Sequence, residues 1–378
     1  MLDKLPAEIC AHIFDFACTD LGRTGRSLSL VSRYIHQTSE LARYTRIALV
    51  GRAQILSFAE FVGHTDIQVK TRHLLINAQE SEEQWQSRVF HVNAQARKAQ
   101  SKYTELAKFL PYNDEKLKEA EDEMAREYAA ANAVLGEEGT RPVECILRAL
   151  GPTLEILDIA LNERVAKMLL QPISLPRLVD LTTRCDFPLR PNDVPALEPT
   201  HSLRFLHIVH TTNQWHCVER FFKNGISYFA PSLTHLRLSE IHEDAKVISY
   251  LECGLGHSNE PPSRLCRLPP AILSQITLLP PTIERVLLKP ATEPNDECCC
   301  DDCCYCHEVW EYRNIMNHGR LLRDKDDRVL LLKEDSTPPA EDPYFREWLD
   351  KVKGAVCDWD TLTSDLDLDS FKRWWYYS

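Results

Sequence analysis

The sequence predicts an α/β chain in which a short helical leader precedes a stack of strand-bearing units, and a long helical insertion interrupts the stack. Three observations predict it. Apolar residues recur at helical spacing in the first fifty residues, a leucine-spaced pattern returns between residues 154 and 288, and two heptad seams flank Pro111. Composition agrees: 378 residues, 44 % apolar, with 44 basic against 56 acidic side chains for a net charge of −12. That balance argues against a nucleic-acid partner held by broad phosphate neutralisation and against docking on anionic membrane. No stretch approaches 18 uncharged apolar residues, so no transmembrane helix is expected. The opening residues form no apolar signal core, which points to a cytosolic or nuclear protein whose 14 cysteines are mostly thiols.

Pro6 suits a first helical turn, where its missing N–H has no intrahelical partner to lose. Ile9, Ile13, Phe16 and Ala17 then make one apolar stripe, with Glu8, His12 and Asp15 off it. After the interruption at 18–25, a second helix is expected from Arg26 to about Gln37, carrying Leu28, Val31 and Ile35 on one face. A third is expected from Ser39–Glu40, carrying Leu41, Tyr44 and Ile47. Three helices in under fifty residues cannot bury all these faces in a core of their own, so the unit needs a partner or a neighbouring domain.

Leu5-Pro6-Ala7-Glu8-Ile9, then Ile13-Phe14, then Leu28-Ser29-Leu30-Val31-Ser32-Arg33 resembles an F-box, most closely that of the large fungal F-box families. The sequence departs from the pattern at Ile35, where many members carry tryptophan, and in the connecting loop. The resemblance implies a three-helix segment that packs on the Skp adaptor of a cullin ubiquitin ligase. Matched position by position, it places the adaptor contact on Leu5, Pro6, Ile9, Ile13, Leu28, Val31 and Ser32. Without the resemblance, the same apolar residues read more readily as packing on the rest of the chain, since apolar stripes are usually core.

Leu154-x-x-Leu157-x-Ile159 is followed by Leu178-x-x-Leu181-x-Thr183, Leu203-x-x-Leu206-x-Ile208, Leu233-x-x-Leu236-x-Leu238 and Ile283-x-x-Val286-x-Leu288. The middle positions are 24, 25, 30 and 50 residues apart, the last interval wide enough for a missed unit. Such periods predict an irregular leucine-rich-repeat-like solenoid, one strand and one return per unit, rather than unrelated strands of an α/β domain. Only Asn162 keeps the repeat's asparagine. Arg72–Ile76 reads as an early strand, and Trp215, Val218, Phe221 and Phe222 as a helical return. Strands lining one side would offer a surface to a target protein.

Trp85, Val89, Val92, Ala96, Ala99, Tyr103, Leu106 and Leu110 alternate spacings of 4 and 3, predicting one helix about 40 Å long. Beyond Pro111, Leu117, Ala120, Met124, Tyr128, Ala131 and Leu135 mark the return arm of a helical hairpin, either self-packed or an arm for a partner. Six cysteines crowd 298–306 beside His307, but no second pair stands a dozen residues away, so the expectation is an exposed loop without a defined metal site. Arg328–Lys333 reads as a last strand. Asp342 and Pro343 then start a helix with Phe345, Trp348, Leu349 and Val352 on one face, expected to cap the end of the stack.

The chain shows no Gly-x-Ser-x-Gly, His-Glu-x-x-His or Gly-x-x-x-x-Gly-Lys motif, so no enzyme, catalytic residue, metal or cofactor is expected. The expected divisions are a helical leader (1–50), a first strand region (51–79), a hairpin insertion (80–137), the solenoid with its Cys-rich loop at 298–307 (138–335) and a capping helix with an acidic, aromatic tail (336–378). The resemblance implies an adaptor subunit of a Skp–cullin–F-box ligase, contacting cullin through Skp and an unknown protein substrate through the solenoid. The alternatives are an interaction scaffold without the ligase link, and a metal or redox protein centred on Cys298–Cys306.

Overall fold

A computed structural model describes residues 5–18, 23–64, 69–161, 172–184, 187, 198–209, 217–223, 225–241, 246–257, 268–292, 307–332 and 343–353. Eight strands stand side by side in one parallel sheet, in the order in which the chain makes them. They are β1 (Arg46–Val50), β2 (His73–Asn77), β3 (Ile156–Ala160), β4 (Asp180–Thr183), β5 (Phe205–Val209), β6 (His235–Ile241), β7 (Arg285–Pro290) and β8 (Val329–Leu331). Each leucine pattern lands on a strand, because alternation of period two sends its last two apolar positions to one face. Register aligns them into rows: Ile47, Leu74, Leu157, Leu181, Leu206, Leu236, Val286 and Val329 lie side by side. From Leu74 onward every member of that row is fully buried in the main core.

Two stretches differ from the expectation. The third leader helix stops at Thr45, and Ile47 lies on β1 beside Leu74. The 50-residue interval hides no strand among the described residues, since β6 pairs directly with β7. Helices α11 (Lys246–Gly254) and α12 (Pro270–Leu273) lie in it instead, and Val247, Ile248 and Leu251 of α11 enter the main core. The return between β5 and β6 consists of α9 (Cys217–Phe222) and α10 (Ile226–Phe229), which bury Val218, Phe221 and Phe222 as expected; Trp215 lies outside the described residues.

The hairpin seam is buried or half-buried throughout, yet its first arm is two helices, α6 (Glu82–Val92) and α7 (Ala94–Ala107), broken at Asn93. Asparagine is a poor helix former, because its side chain competes for backbone groups. A reciprocal capping box between Ser81 and Gln84 starts α6. The second arm, α8 (Glu115–Leu150), runs on for 36 residues, about 54 Å, across the expected boundary at 137. Leu117, Ala120, Ala131 and Leu135 are buried in its first part, while Val143, Ile146, Leu147 and Leu150 join the main core with Ile55 and Ala59 of α5 (Arg52–His64). One continuous helix therefore ties the hairpin to the sheet. The Cys298–Cys306 loop and the acidic, aromatic tail lie outside the described residues; α13 (His307–Lys325) begins just after the loop.

The last helix, α14 (Pro343–Val352), does not cap the end of the stack. Trp348 and Val352 pack on Leu75 of β2, Lys351 reaches Asp180 of β4, and Glu347 meets Arg237 of β6. The helix thus crosses the face of the sheet opposite the returns. Among the described residues no helix is long and apolar enough to cross a membrane.

Two histidines on this second face carry a pH signature. Burial first, then the neighbouring Arg46 and Arg72, pull the His73 imidazole down to about 4, with Glu155 and Asp15 opposing. Burial, followed by Arg237, Lys351, Lys289 and Arg184, holds His207 well below its ordinary value. The unfolded chain takes up these protons near pH 6.5 and the folded chain does not, so stability is full above 6.5 and falls as pH drops towards 4. His73 alone contributes up to about 3 kcal/mol across that window. Urea midpoints at pH 7, 6 and 5 should decline in that order, and His73→Asn should flatten the decline; a midpoint that rises with acid contradicts it.

Candidate docking surface

Helix α1 (Ala7–Ala17) has three sides. At about 100° per residue, Cys10, Phe14 and Cys18 fall on one side, Glu8, Ala11, His12 and Asp15 on a second, and Ile9, Ile13 and Phe16 on a third, the three about 120° apart. The first side is buried with Ile35 and Ala42, and Leu5, Leu28 and Tyr34 are packed around it. The second faces the beginnings of the strands across a groove of about 550 Å³ that Lys70, Arg72, Glu155 and Arg177 help to line. Arg46 at the start of β1 donates to the Asp15 backbone carbonyl at 2.6 Å and its carboxylate at 3.1 Å, which fixes this orientation. The third side is open among the described residues: Ile9 is 48 % exposed, Ile13 40 % and Phe16 81 %.

A second exposed pair lies between α2 (Arg23–Ser29) and α3 (Arg33–Thr38). The single helix expected over 26–37 is two, so the leader has four short helices, the last being α4 (Glu40–Thr45). Ser32 causes the break: its backbone is extended, and its hydroxyl accepts from Ile35 N–H at 3.2 Å, capping α3. Leu30 and Val31 form the turn and stand 87 % and 66 % exposed. The Tyr34 hydroxyl donates to the Leu5 carbonyl, holding α3 against the entry to α1.

Of the seven residues picked from the sequence, Pro6, Ile9, Ile13 and Val31 are exposed. Leu5 and Leu28 are half-buried against the leader core, and Ser32 serves as a helix cap. Ile35, at the tryptophan position of the motif, is an interior residue at 1 % exposure and not part of the open surface. Phe16 and Leu30 were not among the seven, although Phe16 already stood on the Ile9–Ile13 stripe. Apolar residues exposed singly are ordinary; here three stand on one side of α1 and two on the turn before α3.

No family model matches this chain, and no curated protein or solved structure matches it either.

The inner and outer edges of α1 should respond oppositely to truncation. Phe14→Ala empties a buried site, with an expected cost of about 3–5 kcal/mol, read as faster amide exchange over residues 7–45. Phe16→Ser, on the open side, should stay within about 0.5 kcal/mol of wild type. Equal effects would mean that Phe16 is covered in solution.

Proposed function

We propose that this chain is the substrate-recognition subunit of a Skp–cullin–F-box ubiquitin ligase. Ile9, Ile13, Phe16, Leu30 and Val31 dock on the Skp adaptor, and the sheet holds a target protein. The observation that carries the proposal is the open third side of α1, an apolar edge within the segment that resembles an F-box. Deeper burial of a Leu or Ile side chain on a partner is worth about 1–2 kcal/mol, so a few such side chains sustain a specific contact. Support for an irregular leucine-rich solenoid comes from eight parallel strands in sequence order, separated by returns of unequal length.

In this reading the chain carries out no bond making itself. It holds the target near a separate transfer subunit, which raises local concentration and fixes orientation. Arg46–Asp15 and the leader core, both joining α1 to elements that lead directly into the sheet, keep the two binding parts in a defined relation.

The test is co-elution. The full-length chain and the Skp adaptor, mixed at micromolar concentration, should run as one complex on a sizing column. Ile9→Asp combined with Val31→Asp should weaken binding on the order of 100-fold while leaving the melting transition in place. A wild-type chain that elutes alone contradicts the proposal. So does a double variant that binds unchanged, and a variant that loses its fold shows these side chains to be interior.

A further inference from the structure

The sheet's second face is an unusual surface. The row between the leucine rows reads Ala48, Leu75, Asp158, Thr182, His207, Arg237, Leu287 and Leu330 from β1 to β8, apolar at its ends and polar in its middle. Helix α14 meets that row at its β2 end and across its polar middle. Its apolar residues Trp348 and Val352 sit on Leu75, forming a small cluster separate from the main core. Its charged residues meet the polar middle: Lys351 Nζ lies 3.0 Å from Asp180 and 3.3 Å from Thr182 Oγ1, and Arg237 Nη1 is 3.2 Å from both oxygens of Glu347.

The sheet itself is shaped for this contact. A bulge between Ser239 and Ile241 interrupts the β6–β7 register, and Glu240 there has a φ of 56°, in the left-handed region. A non-glycine residue is strained in that conformation, and bulges re-aim side chains. The re-aimed Glu240 carboxylate accepts from the Tyr344 hydroxyl at 2.9 Å.

The fit is nonetheless incomplete. The Trp348 indole N–H is buried and meets no acceptor among the described residues. The other anchors are charges taken out of water, and such pairs gain little over their hydrated state. α14 is therefore held by one tryptophan, a few flanking apolar contacts and a set of pairs that set register more than affinity.

We propose that the second face is a receptor for an amphipathic helix, that α14 is its resident occupant, and that the target protein enters as a helix of the same pattern. The pattern is an aromatic hydroxyl, then an acid three residues on, tryptophan at the next position, and a base and a β-branched residue three and four beyond it, as in Tyr344, Glu347, Trp348, Lys351 and Val352. A target helix of this pattern that leaves no buried N–H without an acceptor at the Trp348 position displaces α14. This rests on reading the sheet as the target-holding part. Its test contains no adaptor, so failure of adaptor docking and failure of this proposal are separate results.

The probe is a fluorescein-labelled peptide of residues 340–353, followed by polarisation. It should bind the full-length chain carrying Trp348→Ala and Lys351→Glu at least tenfold tighter than wild type, because the wild-type face is occupied in cis. Equal binding to both, or binding to neither with the circular dichroism unchanged, overturns the proposal. Should the variant not fold, the wild-type chain with a protease site after Ser336 is cut once folded and offered the same peptide. Exchange of the cut helix for peptide supports the proposal, and a cut helix that leaves only on global unfolding overturns it.

Discussion

Each helix and strand presents more than one face, and the described residues cover only some of them. That constraint organises both halves of the molecule. On the sheet, the returns cover the leucine rows and bury them completely, which supplies most of the driving force for folding. On α1, the leader core takes Cys10, Phe14 and Cys18, the groove beside the strands takes the polar side, and Ile9, Ile13 and Phe16 are left over. Among the described residues no further element lies over them. The left-over apolar edge is the physical basis of the proposed docking surface.

The same shortage explains why the second face of the sheet is polar in its middle. Among the described residues no layer of returns covers that face, and its middle carries Asp158, Thr182, His207 and Arg237 instead of an apolar row. Once α14 lies across them these groups are largely desolvated, so they must be paired: Arg184 with Asp158 at 2.9 Å, Lys351 with Asp180, Arg237 with Glu347. Burial pushes the Asp180 carboxyl up while Lys351 draws it down, the expected tension in a buried ion pair. Removing one member costs the other its ion partner in a site already taken out of water.

Much of the fold was legible because it is written in local periodicity. Leu154, Leu178, Leu203, Leu233 and Ile283 each open a pattern that ends on a strand, and the seam from Trp85 to Leu110 is inward-facing throughout. What escaped depends on contacts that no window spans. Lys351 and Asp180 are 171 residues apart, so nothing near Trp348 says that its helix lies across the sheet instead of closing it. β1 is as long as β2, but Ile47 follows Leu41 and Tyr44 at helical spacing, so only its pairing with β2 reveals it as a strand. The break before α3 turns on one serine hydroxyl, which an apolar pattern does not weigh. For the docking surface, Ile9, Ile13 and Val31 were readable as a stripe and a motif. Which side of α1 faces out depends on Phe14 being sequestered by Ile35 and Ala42.

The account stands or falls on whether another polypeptide covers the leader's open edge. Amide hydrogen exchange of the full-length chain, alone and saturated with the Skp adaptor, measures that residue by residue. Slowed exchange concentrated at residues 7–17 and 28–35, with the interior of the sheet unchanged, is the result expected. An unchanged leader, or protection confined to other segments, contradicts it.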